Sequence, residues 1–259
     1  MRIFALELDN DIKGIDKRKE YIEQLLGKLT EPELVVLPEL ALCSYMASQE
    51  IWKYADVQGT DTAEWAMKMA RKYDTYIGVG YLDKEKGDYY NRYMIAGKDG
   101  VCGVVSKSEG ESAVFKRGDF GSTVSTPFGT VGVGICFDSR RKHFYDNVKD
   151  ETLSLILFPH GCPADPKKPE KEHKENDARC MMYVNAFGVP VVYVNSIGEL
   201  EYMPGKMGEL MKNAGFRMNG MIHGENILPG NWLFKQFILK PDTEAGIKLY
   251  DEGISREKG

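Results

Sequence analysis

No apolar run in this chain of 259 residues approaches the roughly 18 residues of a bilayer span, so no membrane partner is expected. Histidine is scarce. The four present, His143, His160, His173 and His223, form no pair at zinc-finger or helical metal-ligand spacing, and no metal site is predicted. The five cysteines, Cys43, Cys102, Cys136, Cys162 and Cys180, are odd in number and lack a paired pattern, which argues against a disulfide framework and suits reduced thiols in a cytoplasm. Positive charge is in deficit: a net charge of -5 and a pI near 5.6 leave no basic stripe for phosphate contacts, so nucleic acid is not an expected partner. The opening Met1–Glu7 has neither a long apolar run nor a small-residue cleavage site, which predicts no secretory signal. Gly78-Val79-Gly80 lacks the third glycine and helix start of a dinucleotide fingerprint. Its glycines read instead as small residues that permit close packing, and no cofactor is predicted.

What is present suits a folded α/β protein. Hydrophobic residues make up 42% of the chain, enough for a substantial core, and neither a repeat nor a convincing linker divides it, so one domain over 1–259 is expected. Ile22, Leu25, Leu26 and Leu29 stand at helical spacing between apolar strands at 2–8 and 34–37. Trp65, Met69 and Tyr73 share a second helical face, followed by a strand at 76–81, a turn at Gly87-Asp88 and a strand at 89–96. Strands at 153–158 and 189–194 flank a helix near 172–186, and further strands are expected at 221–228 and 232–239. The charged run 165–172 reads as a solvated loop leading into that helix.

Three apolar strands end in ionisable residues. Val131–Ile135 runs into Cys136 and Asp138, Leu34–Leu37 into Glu39, and Gly103–Val105 into Lys107. A free cysteine is more often a small buried hydrophobe than a nucleophile, an exposed strand-end glutamate is common, and most lysines lie on the surface. Together, however, a thiol, a carboxylate and an ammonium at separate strand tips supply a nucleophile, a base and an electrophile.

Leu37-Pro38-Glu39-Leu40, Tyr90-Asn91-Arg92 before Lys98-Asp99-Gly100, Gly134-Ile135-Cys136-Phe137-Asp138-Ser139-Arg140, and Asn185 with Val191–Asn195 follow one another in an order that resembles the nitrilase superfamily of carbon–nitrogen hydrolases. The resemblance covers about residues 1–198. It implies a four-layer α-β-β-α sandwich, pairing into a homodimer or higher homo-oligomer, and a Glu-Lys-Cys triad of Glu39, Lys107 and Cys136. Where many members place a histidine and an apolar residue after the lysine, this chain has Ser108-Glu109-Gly110, which leaves Lys116 as a fallback. Glu111, four residues before Phe115, fits the family's second acid, with Glu109 as its competitor.

In such a triad Glu39 takes the thiol proton, Cys136 adds to the substrate carbon, and Lys107 with the backbone N–H of Phe137 stabilises the developing negative charge. The leaving amine departs from a thioester, which water then hydrolyses. His160 and Gly161 are expected to line the substrate pocket, while Asp138 and Arg140 are read as supporting residues that pair or hydrogen-bond. Tyr202, Met203, Met207 and Met211 offer a lid over an apolar acyl group, although methionines at such spacing more often cover a core. The implied substrate is a small amide. A nitrile, a carbamoyl amine or an acyl-transfer acceptor is the alternative on the same triad; a Cys162–His160 pair is a rival mechanism, and a catalytically silent binding or regulatory member a rival class.

Overall fold

A computed structural model describes residues 1–119, 121–165, 167–199 and 205–218, together with the strand backbone at 227–228, 232–233 and 246–251. Strands β1 (Arg2–Glu7) and β2 (Leu34–Val36) pair in parallel around helix α1 (Ile15–Leu26). Helix α2 (Thr60–Tyr73) then leads into β3 (Tyr76–Glu85), which is parallel to β2. A meander follows, through β4 (Asp88–Gly97) and β5 (Gly100–Ser106), both antiparallel to their predecessors.

The second sheet is built from β6 (Thr123–Thr126), β7 (Gly129–Val133), β8 (Leu153–Pro159) and β9 (Val191–Val194), in the order β9-β8-β7-β6. Helices α3 (Lys142–Val148) and α4 (Pro169–Phe187) make the crossovers between its parallel strands. Strand β10 (Gly246–Asp251) returns to the first sheet and pairs antiparallel with β1, beyond the reach of the family resemblance.

Burial shows why these segments stack as layers. Alternate residues of β1 face opposite ways: Phe4 and Leu6 pack with Ile22 and Leu25 of α1 and Met69 of α2, while Ile3 and Ala5 pack with Val131, Val133, Leu155 and Val192 of the other sheet. A strand buried on both faces reads as a continuous apolar run, as β1 and β2 do. The outer face of the second sheet, Ile156, Phe158 and Tyr193, is covered by Phe144 and Val148 of α3 and by Tyr183 and Val184 of α4. The result is the expected α-β-β-α sandwich.

Several boundaries differ from expectation. α1 begins six residues before Tyr21, in a polar segment whose contribution to the core is the buried Arg18. β3 and β4 run to ten residues each, because Leu82 and Asp83 continue the buried pattern past the expected end. Helix α5 (Gly205–Asn213) falls where the methionine lid was expected; Tyr202 and Met203 and the side chain of Met207 lie outside the described residues. So does most of 221–228 and 232–239, within which Ile227–Leu228 and Trp232–Leu233 pair antiparallel. No helix among the described residues is long and apolar enough to cross a membrane.

Candidate active site

Strand tips of both sheets meet at one end of the sandwich. Glu39 follows β2 in a loop that turns sharply at Leu40, whose φ is 51°. Two buried residues hold that loop. Arg18 donates to the carbonyl oxygens of Ala41 at 2.5 Å, Asp9 at 2.8 Å and Ile12 at 2.9 Å, and burial lowers its pKa to about 10. The Asn10 side-chain oxygen accepts from the Ser44 hydroxyl at 2.7 Å and the Tyr45 N–H at 2.9 Å. β3 passes so close beneath that a Cβ on Gly80 would stand 2.5 Å from both the Leu40 nitrogen and the Pro38 oxygen. Only glycine admits this approach of two backbones.

Lys107 leaves β5 with its N–H bonded to the Asn91 oxygen at 2.8 Å, and its side chain is 1% exposed. Its Nζ donates to Glu39 Oε1 at 2.6 Å and to Glu111 Oε1 at 3.5 Å. Burial by itself would lower the lysine's pKa. The charges of Glu39 and Glu111 outweigh that effect and hold the ammonium well above its ordinary value. Asn91 Nδ2 also donates to Glu39 Oε1, at 2.7 Å, and the Tyr45 hydroxyl donates to Glu111 Oε1 at 2.7 Å. Burial acts to raise the Glu111 carboxyl, but Lys107 and Tyr45 prevail and keep it below the usual range. One oxygen of each carboxylate is thus engaged; Glu39 Oε2 and Glu111 Oε2 are buried and have no hydrogen-bond partner among the described residues.

Cys136 stands just beyond β7, at the first position of a 3-10 turn, Cys136–Arg140, with φ of 50°. A left-handed conformation is uncommon outside glycine and is strained, so the turn must be held by its surroundings. The Ser139 hydroxyl donates to the Cys136 carbonyl at 2.7 Å. The Asp138 carboxylate accepts the N–H groups of Ser108 at 2.9 Å and Glu109 at 2.7 Å, tying the Cys136 turn to the loop after Lys107. Burial nevertheless raises Asp138 to about 6, against those two bonds. The neighbouring Cys162 thiol, burial and the Glu39 charge push the Cys136 thiol well above the ordinary range, with Lys107 opposing.

The structure therefore brings Glu39, Lys107, Glu111 and Cys136 into one cluster. Glu109 turns instead toward Arg141, at 3.4 Å, and His143, at 3.7 Å. Lys116 pairs with Asp88 at 3.0 Å on the surface. Asp138 and Arg140 have separate partners, Arg140 reaching Glu172 at 3.1 Å. Phe137 is exposed, under the Arg141 guanidinium. Gly161 lies against Glu39: a Cβ there would sit 3.0 Å from Glu39 Oε2. His160 is fully buried, with Nδ1 3.0 Å from the Phe158 oxygen and Nε2 3.5 Å from the Ser139 hydroxyl. Burial lowers its pKa to about 3, so the ring is neutral at ordinary pH. The neighbouring Cys136 thiol, then Arg140, lowers the Cys162 thiol despite burial. Tyr45, Asn91 and Cys162 in this role escaped the sequence reading. Tyr45 lies in a loop with no periodicity, and Asn91 is a polar residue inside a strand, which was the available signal.

Residues 10–214 match the carbon-nitrogen hydrolase family profile. Among curated proteins, the chain is 24% identical over 201 residues to a citrullinase of Francisella tularensis, covering 72% of this chain and 70% of that protein. It is 29% identical over 147 residues to a nitrilase of Pyrococcus abyssi, covering 53% and 56%. It is 26% identical over 141 residues to an omega-amidase of Xenopus laevis, covering 49% and 51%. Apart from the citrullinase, the match spans about half the length of these relatives. Among solved structures, a carbon-nitrogen hydrolase from Helicobacter pylori superposes with a TM-score of 0.72 at 20% identity, covering 85% of this chain and 80% of that one. An amidase from Nesterenkonia sp. gives 0.72 at 15% identity, covering 97% and 90%. With a sandwich that places a carboxylate, an ammonium and a thiol at one end and a profile match over most of its length, the chain belongs to the carbon–nitrogen hydrolase family.

Proposed function

We propose that the protein is a cysteine-dependent amidohydrolase that cleaves a small primary amide through a thioester, with Cys136 as nucleophile, Glu39 as base and Lys107 as the cation at the developing oxyanion. The observation that carries this reading is the Lys107 ammonium, buried and held between Glu39 and Glu111. A cation fixed in that way needs no reorganisation when charge builds on the substrate oxygen. The backbone N–H of Phe137 would be its partner there.

The raised Cys136 thiol shapes the first step. A thiol that rests protonated needs its proton taken as the S–C bond forms, so Glu39 acts in concert with attack rather than on a thiolate already present. The same carboxyl then returns the proton to the departing nitrogen and, in the second step, activates water. Glu39 Oε2 and Glu111 Oε2, buried without a partner among the described residues, are two acceptors suited to the N–H groups of an amide. A nitrile brings no N–H to satisfy them, which favours the amide. The ureido NH2 of a carbamoyl amine presents the same donors, and the citrullinase among the relatives makes it the second reading.

Ammonia release from a panel of small amides, nitriles and carbamoyl amines, with wild type beside Cys136→Ala, tests the proposal. Turnover of amides that falls at least about a thousandfold in the variant is expected. Activity retained in Cys136→Ala, or turnover confined to nitriles, would overturn it.

A further inference from the structure

Cys162 has no part in the chemistry above, yet it neighbours Cys136. β7 and β8 are hydrogen-bonded parallel neighbours with Val133 opposite Leu157, so the chain leaves both strands side by side, and Cys136 and Cys162 follow within three and five residues of that paired position. Cys136 belongs to the buried apolar cluster between the sheets, and Cys162 packs against that cluster. The backbone at Cys162 is fixed: its N–H donates to Asn195 Oδ1 and its carbonyl accepts from Asn195 Nδ2, each at 2.9 Å. All five cysteines are reduced in this structure. Two reduced thiols just beyond the same ends of neighbouring strands and at one apolar cluster, one carried on a strained turn and the other on a clamped loop, are placed for a disulfide to close between them.

We propose that Cys136 and Cys162 form a dithiol site for two-electron oxidants of the hydroperoxide class, closing to a disulfide that reversibly withdraws the nucleophile. In the first step one thiolate attacks the peroxide oxygen; the O–O bond breaks, the sulfur becomes a sulfenic acid, and the alkoxide or hydroxide leaves as alcohol or water after taking a proton. In the second, the other sulfur attacks the sulfenic sulfur, the S–S bond forms and hydroxide leaves as water. Two thiols and one hydroperoxide thus give one disulfide, one alcohol (or water) and one water, with two electrons passing to the peroxide. A neighbouring thiol matters because it intercepts the sulfenic acid before a second peroxide converts it to the irreversible sulfinic acid. The withdrawal of activity depends on Cys136 being the nucleophile of the proposed hydrolase; formation of the disulfide does not.

The test uses the full-length protein, treated with hydrogen peroxide, and reads covalent state and activity separately. Intact mass and peptide mapping are expected to show a Cys136–Cys162 crosslink, with titratable thiols falling from five to three and returning to five with dithiothreitol. In Cys162→Ser the expected product is instead an oxygen adduct on Cys136, trapped by dimedone, that progresses to a form dithiothreitol cannot reverse. Binding of phenylarsine oxide, which bridges close dithiols, supplies a second reading: wild type is expected to bind one equivalent, and Cys162→Ser to lose it. Oxygen adducts without the crosslink in wild type, a crosslink through Cys43, Cys102 or Cys180, or unchanged arsenical binding in Cys162→Ser would each overturn the site. If the crosslink forms while amide hydrolysis continues, the dithiol site stands and the assignment of Cys136 as nucleophile fails.

Discussion

At the scale of single residues, the site is organised by shared oxygens. Glu39 Oε1 accepts from Lys107 and Asn91, and Glu111 Oε1 from Lys107 and Tyr45, so each carboxylate is locked by one oxygen and leaves the other for chemistry. Tyr45 touches neither the thiol nor the base by hydrogen bond; it positions Glu111, which in turn flanks the ammonium. Tyr45→Phe removes one hydrogen bond to a charged group, worth about 1.5 kcal/mol, and so is expected to lower kcat about tenfold with a smaller change in KM. Because Lys107 and the Tyr45 hydroxyl together hold the Glu111 carboxyl down against burial, the variant is also expected to move the acid limb of the pH–kcat profile upward. A variant that keeps the wild-type profile would show that Tyr45 only fills space.

At the scale of elements, the site is a set of strand ends held in register by turns. Gly80→Ala tests that. Its new Cβ would meet backbone rather than a flexible side chain, at 2.5 Å from Leu40 and Pro38, so the Glu39 loop or β3 must move. Overpacking of this kind costs about 1–3 kcal/mol. The expected outcome is a lower midpoint in urea together with a loss of turnover larger than the fraction unfolded explains, since the Glu39–Lys107 contact shifts with the loop. Wild-type activity per folded molecule would show that the close approach does not set the base. Gly80 also illustrates what was legible in the sequence. Its smallness marked close packing, but what it packs against depends on how β2 and β3 pair. The placement of Glu39, Lys107 and Cys136 at strand ends was readable because apolar runs stop abruptly at polar residues. The choice of Glu111 over Glu109 was not decided by pattern alone; it follows from the Asp138 carboxylate, which binds the N–H groups at 108 and 109 while Glu109 turns away to Arg141 and His143. The closeness of Cys136 and Cys162 was invisible for the same reason: 26 residues separate them in sequence, and the parallel pairing of β7 and β8 brings the ends of their strands together.

At the scale of the whole molecule, the polar groups buried around the Cys136 turn set how stability follows pH. His160 is neutral in the fold, lowered to about 3 by burial, whereas in the unfolded chain it takes a proton below about 6.5. Its contribution to stability is therefore present above pH 6.5 and lost as pH falls toward 3. Asp138 acts in the opposite sense. Raised to about 6 by burial, it stays protonated in the fold over a range where the unfolded chain has already released the proton, so its contribution is present below about pH 4 and lost as pH rises through 6. Between roughly pH 4.5 and 5.5 the unfolded chain binds one proton more at His160 and about one fewer at Asp138, and the two slopes, each at most about 1.4 kcal/mol per pH unit, cancel. Urea unfolding at a series of pH values, read as the difference between each variant and wild type, isolates them. For His160→Gln, the penalty relative to wild type is expected to shrink as pH falls from 6.5 to 4; for Asp138→Asn, it is expected to shrink as pH rises from 4 to 6. Parallel curves for either variant would show that its side chain does not change protonation on folding.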